Sequence, residues 1–232
     1  MEAKHAQVLV VSPHPDDAEY GVAGTVVRWV RQRREVVYVV CTNGDKGTSD
    51  VSVKPEDLAK TREKEQIAAA NLLGVREVHF LRLPDQGLED TSEFRKEIVR
   101  LIRRYRPETV VTANPYRRYV WHRDHRITGQ VTLDAIFPYA RDFLSYPDLM
   151  REGLHPHKVK EVLLWGTEDL NYRSDITETF QVKLAALRCH KSQVGHIPPE
   201  ELENRLRERH RLIAKGEEFQ LAEGFHREEI LR

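Results

Sequence analysis

Short valine-rich runs that alternate with stretches of apolar residues at helical spacing constrain this chain more than any other feature. Gln7 to Ser12 (QVLVVS) leads through a Pro-containing turn into a helical pattern over 19–33. Glu35 to Cys41 (EVVYVVC) leads through TNGDKGTSD into a helix predicted from about Pro55 to Leu73 and ended by Gly74. VHFLRL reads as a third strand, followed by the loop LPDQGLED and a helix from about Ser92 to Tyr105. TVVTANP supplies a fourth strand and EVLLWGT, from Glu161, a fifth. Strands that alternate with helices require right-handed crossovers, and continuous apolar runs suit burial on both faces. The expected fold is therefore α/β and Rossmann-like, a mainly parallel sheet with helices on both faces. KLAALRCHKSQ and PEELENRLRERHRLIAKGEE read as further helices of the same domain, and a chain of 232 residues is within the range of one α/β domain, here taken as 1–232.

In such sheets ligands bind beyond the carboxyl ends of the strands, so HPDD, TNGD, PDQG and NPYRRYVWHRDH are expected to gather in one crevice. The first of these loops carries His14, Asp16 and Asp17, and the last carries His122, Asp124 and His125. An Asp just before a helix is a good N-cap, and the first loop alone would be read that way. Two His-plus-Asp clusters converging on one place are harder to derive from capping. Imidazole nitrogen and carboxylate oxygen are ligands that zinc accepts, and a catalytic zinc takes three protein ligands and keeps an open position. Two His and one Asp complete that set, and a carboxylate left over can take the proton of a water whose pKa the metal lowers toward ~7.

Other classes fit less well. Lys plus Arg equals Asp plus Glu, 37 against 37, so there is no basic excess to neutralise phosphates and a nucleic-acid partner is not expected. Cys41 and Cys189 form no CxxC pair and read as packed thiols in a reducing compartment. The polar start runs straight into a strand, which points to a cytoplasmic protein with no membrane partner. The first strand is not followed by GxGxxG, and neither GxxxxGK nor GxSxG occurs, which removes the nucleotide-binding oxidoreductase and serine-hydrolase readings. Two alternatives stay open: a non-haem iron enzyme, which uses the same ligand types, and a non-catalytic metal- or sugar-binding protein. A carboxylate left over beside an open metal position argues for catalysis over binding.

HPDDAEYG together with HRDHR resembles the LmbE-like, or PIG-L, deacetylase family, and the resemblance extends through TNGDKG, TREKEQIAAANLLGV, LPDQGL and KLAALRCHKSQ. It implies a Zn2+-dependent hydrolase that removes the acetyl group from an amino sugar. It also implies metal ligands at His14, Asp17 and His125, a general base at Asp16, and a histidine at His122 that stabilises or protonates the tetrahedral intermediate. Asp124 would then orient the His122 ring and favour its charged form. For substrate contacts the resemblance points to Arg62, Asp85 and His190. A solvated helix-face charge is the alternative for Arg62, and a satisfied structural histidine is the alternative for His190. Arg123 stands where many members have Pro, and Val120 where some place a tyrosine. Motif order and chain length look most like the bacillithiol-biosynthesis and small-sugar deacetylases. The implied substrate is a small N-acetylglucosamine derivative, such as its malate conjugate or diacetylchitobiose, and the implied assembly a homo-oligomer, trimer or hexamer.

Overall fold

The computed structural model describes residues 5–230. A seven-stranded sheet in the order β3-β2-β1-β4-β5-β7-β6 runs through it. Strands β1 (Val8–Ser12), β2 (Val36–Thr42), β3 (Glu77–Leu83), β4 (Thr109–Ala113) and β5 (Glu161–Trp165) are mutually parallel. Their order reverses direction between β1 and β4, where the chain moves from building one half of the sheet to building the other.

Successive side chains of a strand point to opposite faces, so a run of valines feeds two cores at once. Leu9, Val11, Val37 and Val39 pack with Phe94, Ile98 and Ile102 of α4 (Ser92–Tyr105) and Val131 of α5 (Arg123–Asp134). On the other face Val8, Val10, Val36 and Tyr38 meet Val26 and Trp29 of α2 (Ala23–Arg31) and Ala69 and Leu73 of α3 (Pro55–Leu73). Helix α4 begins where predicted because Thr91 accepts a hydrogen bond from Phe94 N–H at 3.1 Å. Helix α3 ends at Gly74, whose φ of 78° is left-handed and where a Cβ would lie 2.8 Å from Val30.

Three features depart from the sequence reading. The helical pattern over 19–33 is two helices, α1 (Asp17–Gly21) and α2, separated by Val22 at φ −143°. KLAALRCHKSQ likewise divides into α7 (Phe180–Leu187) and α8 (Lys191–Val194), after the short α6 (Pro147–Arg151) and before α9 (Pro199–Ile213). The sheet also has two strands that the pattern did not announce, β6 (Tyr172–Asp175) and β7 (Ala222–Glu229). They are polar and only partly buried, hence without an apolar run, and β7 inserts antiparallel between β5 and β6.

These late elements clamp the first helices. Val22, the N-cap of α2, has no side chain able to cap, and Glu223 of β7 takes that role, accepting from Gly24 N–H at 2.9 Å and Thr25 N–H at 2.8 Å. Lys183 of α7 pairs with Glu223 at 2.6 Å and donates to the Glu19 and Tyr20 carbonyls at 2.9 and 2.8 Å, which closes the end of α1. Both charged side chains are buried, at 0 and 1% exposure. No helix among the described residues is long and apolar enough to cross a membrane.

Candidate active site

The loops after β1 and β4 meet as the topology requires. Asp17, the first residue of α1, lies between two imidazoles: one oxygen is 3.0 Å from His14 Nδ1 and the other 3.2 Å from His125 Nε2. His125 lies in the first turn of α5, with its ring edge-on to Trp121 at 4.6 Å. The His122 ring stands 4.8 Å from that of His14 and 5.4 Å from that of His125.

The second nitrogen of His14 faces inward. Nε2 is 3.0 Å from Asp124 and 3.2 Å from Asp85, which follows β3. Two groups therefore bring metal-ligating atoms within 4.8 Å of one another, His14 with His122 and His125, and His14 with Asp85 and Asp124. The inner group is already engaged. Asp124 accepts from Gln86 N–H at 2.7 Å and Leu88 N–H at 3.3 Å, and Asp85 accepts from Lys46 N–H at 3.0 Å.

Charge at this point is strongly biased. Burial disfavours a charged His14, yet its hydrogen bonds with Asp124, Asp17 and Asp85 prevail and raise its pKa to about 11, so the cluster favours positive charge there. Burial alone would push Asp17 up, but His125 and His14 outweigh it and hold the carboxylate well below its usual range. Asp85 is drawn down to about 2 against burial by His14 and the Lys46 N–H.

Asp16 has the opposite balance. Burial first, then the neighbouring Asp17 charge, push it up to about 7 against the pull of Arg62 and His190. Its backbone lies at φ 92°, a left-handed conformation that costs a residue other than glycine about 1–3 kcal/mol. Its N–H donates to Gln66 Oε1 of α3 at 3.1 Å.

Several expected roles change once the contacts are visible. His122 caps α5, its Nδ1 accepting the Asp124 backbone N–H at 3.2 Å, so the ring carries its proton on Nε2. Burial and the His14 and His125 rings lower its pKa. A neutral Nε2–H donor replaces the protonated His122 that was expected, and it is the Asp124 backbone that orients the ring, the carboxylate being directed to His14. Arg62 is 4% exposed, with its guanidinium donating to the Gly44 carbonyl at 2.9 Å and the Pro15 carbonyl at 2.7 Å, and 3.6 Å from Asp16. It fastens the first two loops together and leaves no fork facing a ligand. His190 is fully buried 3.1 Å from Glu19, out of reach of a sugar. Gln66 and Glu19 did not stand out in the sequence, although Arg62 and Gln66, four apart on α3, share a face.

Fold and site together define an α/β protein that gathers imidazoles and carboxylates in metal-ligating combinations at the carboxyl edge of a parallel sheet. The sequence profile described as PIG-L, GlcNAc-PI de-N-acetylase, matches residues 9–136. The chain belongs to this PIG-L, or LmbE-like, family. Diacetylchitobiose deacetylase of Thermococcus kodakarensis is 38% identical over 191 residues, covering 81% of this chain and 70% of its own. A probable N-acetyl-alpha-D-glucosaminyl L-malate deacetylase 2 of Bacillus anthracis is 28% identical over 80% of each chain. The solved N,N'-diacetylchitobiose deacetylase of Pyrococcus horikoshii, complexed with its inhibitor MPG, superposes with a TM-score of 0.90 at 32% identity, covering 96% of this chain and 84% of that one.

Proposed function

We propose that this protein is a zinc-dependent deacetylase that hydrolyses the acetamide of a small N-acetylglucosamine derivative. The observation that carries the reading is the bridge of Asp17 between His14 Nδ1 and His125 Nε2, with Asp16 next to it in sequence. Two imidazoles and a carboxylate, His14, His125 and Asp17, fit zinc by the chemistry of the donor set, and they lie on the side of His14 that a substrate can reach, away from the wholly buried Asp124. Asp85 and Asp124 accept the Nε2–H of His14, so Nδ1 is the nitrogen that would face the metal once the ring gives up its second proton. Zinc bound at this place supplies Lewis acidity toward the attacking water and the acetamide carbonyl.

The remaining work belongs to the side chains. Asp16, raised toward neutrality, takes the proton of the attacking water as the acetamide carbon becomes tetrahedral. His122 presents its Nε2–H to the oxygen on which negative charge develops, where a preorganised donor acts most strongly. The departing amine then collects a proton from the acid that Asp16 has become.

Of the two substrates, diacetylchitobiose comes first. The more similar relative carries that name, and Arg62, the one candidate fork for a malate carboxylate, is engaged by loop carbonyls. A single domain over 1–232, a cytoplasmic location, and assembly as a trimer or hexamer without nucleic-acid or membrane partners complete the proposal. It is supported by the balanced charge and the two free cysteines. The test is acetate release from N-acetylglucosamine, diacetylchitobiose and the malate conjugate by protein stripped with a chelator and reloaded with zinc, iron or manganese. Release with zinc is expected, and zinc-loaded protein inert on all three would overturn the reading.

A further inference from the structure

An aspartate in front of a helix normally has an extended backbone and turns its carboxylate onto the helix's own N–H groups. Asp16 precedes α1, yet its side chain makes no capping hydrogen bond and its backbone is left-handed, at φ 92° and ψ −26°. That rotation swings the carboxylate off the helix end and toward Arg62, 3.6 Å away. The backbone conformation at residue 16 therefore decides whether this carboxyl caps a helix or serves as a base. A sparsely populated conformation of this kind persists only where its surroundings over-determine it.

Besides Arg62, the surroundings include one buried chain of hydrogen bonds. Asp16 N–H donates to Gln66 Oε1 at 3.1 Å, Gln66 Nε2 donates to Glu19 Oε1 at 3.0 Å, and Glu19 Oε2 lies 3.1 Å from His190 Nε2. Gln66, Glu19 and His190 are each 0% exposed, so none can exchange its partner for solvent. Direction in this chain follows from chemistry. A carboxylate only accepts, so Glu19 must receive the Gln66 amide N–H on one oxygen and the His190 Nε2–H on the other. The Gln66 carbonyl is thereby turned toward Asp16 and cannot flip.

Resting on the deacetylase reading above, we propose that Gln66 is a positioning residue for the reaction, holding the Asp16 backbone left-handed so that its carboxylate is aimed as the base, with Glu19 and His190 fixing the orientation of the Gln66 amide. None of the three touches substrate. They act through Asp16 and leave the metal ligands and the sugar contacts in place.

The test begins with zinc-loaded Gln66→Met, which keeps the volume and removes both hydrogen bonds. A misaimed base should lower kcat by roughly 10- to 100-fold while KM stays within about threefold, and zinc content should equal that of wild type. A crystal structure of the variant should place Asp16 outside the left-handed region. His190→Leu should reproduce the kcat loss, and His190→Gln, which restores an N–H donor to Glu19, should recover most of it. Folding of each variant is checked by circular dichroism, and the His190 pair decides the matter if Gln66→Met fails to fold. A folded Gln66→Met with wild-type kcat, or with a raised KM as its sole defect, would overturn the proposal, as would a His190→Gln no better than His190→Leu. If wild type releases no acetate, the deacetylase reading fails by itself. The φ of Asp16 in the variant then decides this proposal, since an Asp16 still left-handed without Gln66 refutes it.

Discussion

Replacing Lys183 with Met tests the clamp that the late elements place on α1 and α2. The ammonium is 0% exposed and makes three contacts, to Glu223 and to the carbonyls of Glu19 and Tyr20. Methionine fills similar space but leaves Glu223 charged, buried and without its counter-ion. Removing one partner of a buried ion pair costs about 3–5 kcal/mol, because the remaining charge is uncompensated. Two backbone N–H groups and the Thr25 hydroxyl still donate to Glu223, which favours the lower part of that range. For a chain of this size each kcal/mol moves Tm by roughly 2–4 °C, so Lys183→Met should melt about 6–20 °C below wild type in scanning calorimetry. Adding Glu223→Gln removes the orphaned charge, so the double variant should be more stable than the single one. A Tm within about 2 °C of wild type for Lys183→Met, or a double variant less stable than the single, would refute the clamp.

Asp16→Asn should retain zinc by elemental analysis and lose about 10²- to 10⁴-fold in kcat, the usual range for a missing general base, whereas His14→Ala and His125→Ala should lose the metal as well. His122→Ala should lower kcat while KM changes little, as expected for a donor to the developing oxyanion, and steady-state kinetics will separate the two. Arg62→Ala should lower kcat/KM by the same factor for diacetylchitobiose and the malate conjugate, because its guanidinium serves the loops and Asp16; a selective loss on the malate substrate would return Arg62 to the substrate. His210, buried and next to Lys183, has its pKa lowered to about 4 from 6.5, mainly by burial. Its folded-state pKa is depressed, so the unfolded chain takes up the proton first; the His210 contribution is complete above about pH 6.5 and declines toward pH 4, by at most about 1.4 kcal/mol per pH unit. Urea unfolding across that window should show a shallower slope in His210→Gln.

How much of this was legible in the sequence followed from how each element is buried. Strands β1, β2 and β4 are covered on both faces and therefore appear as unbroken apolar runs, and α4 spans Ser92–Tyr105 as its apolar spacing indicated. By contrast, β6 and β7 stand at the far side of the sheet with polar side chains on a partly open face, so Tyr172–Asp175 and Ala222–Glu229 look like loop. The break between α1 and α2 falls at Val22, with no Pro to mark it, and its cap arrives from a residue some 200 positions away. For the site, the pairing of HPDD with HRDH was visible because parallel topology dictates where those loops go. Burial and ring orientation are not written in local sequence, so the two faces of His14, the backbone donor to His122 and the enclosure of Arg62 and His190 emerged with the three-dimensional contacts alone.

The position of β7 also sets an order of assembly during synthesis. Among the described residues β6 joins the sheet through β7 alone, and the Glu223 that caps α2 arrives with the same strand, so a chain made through α9 holds both loops of the candidate site before it holds the residue that caps α2. Contacts spanning so much sequence form slowly. The chain therefore carries α1 and α2 without their Glu223 contacts until Ala222–Glu229 pairs with β5 and draws β6 into the sheet.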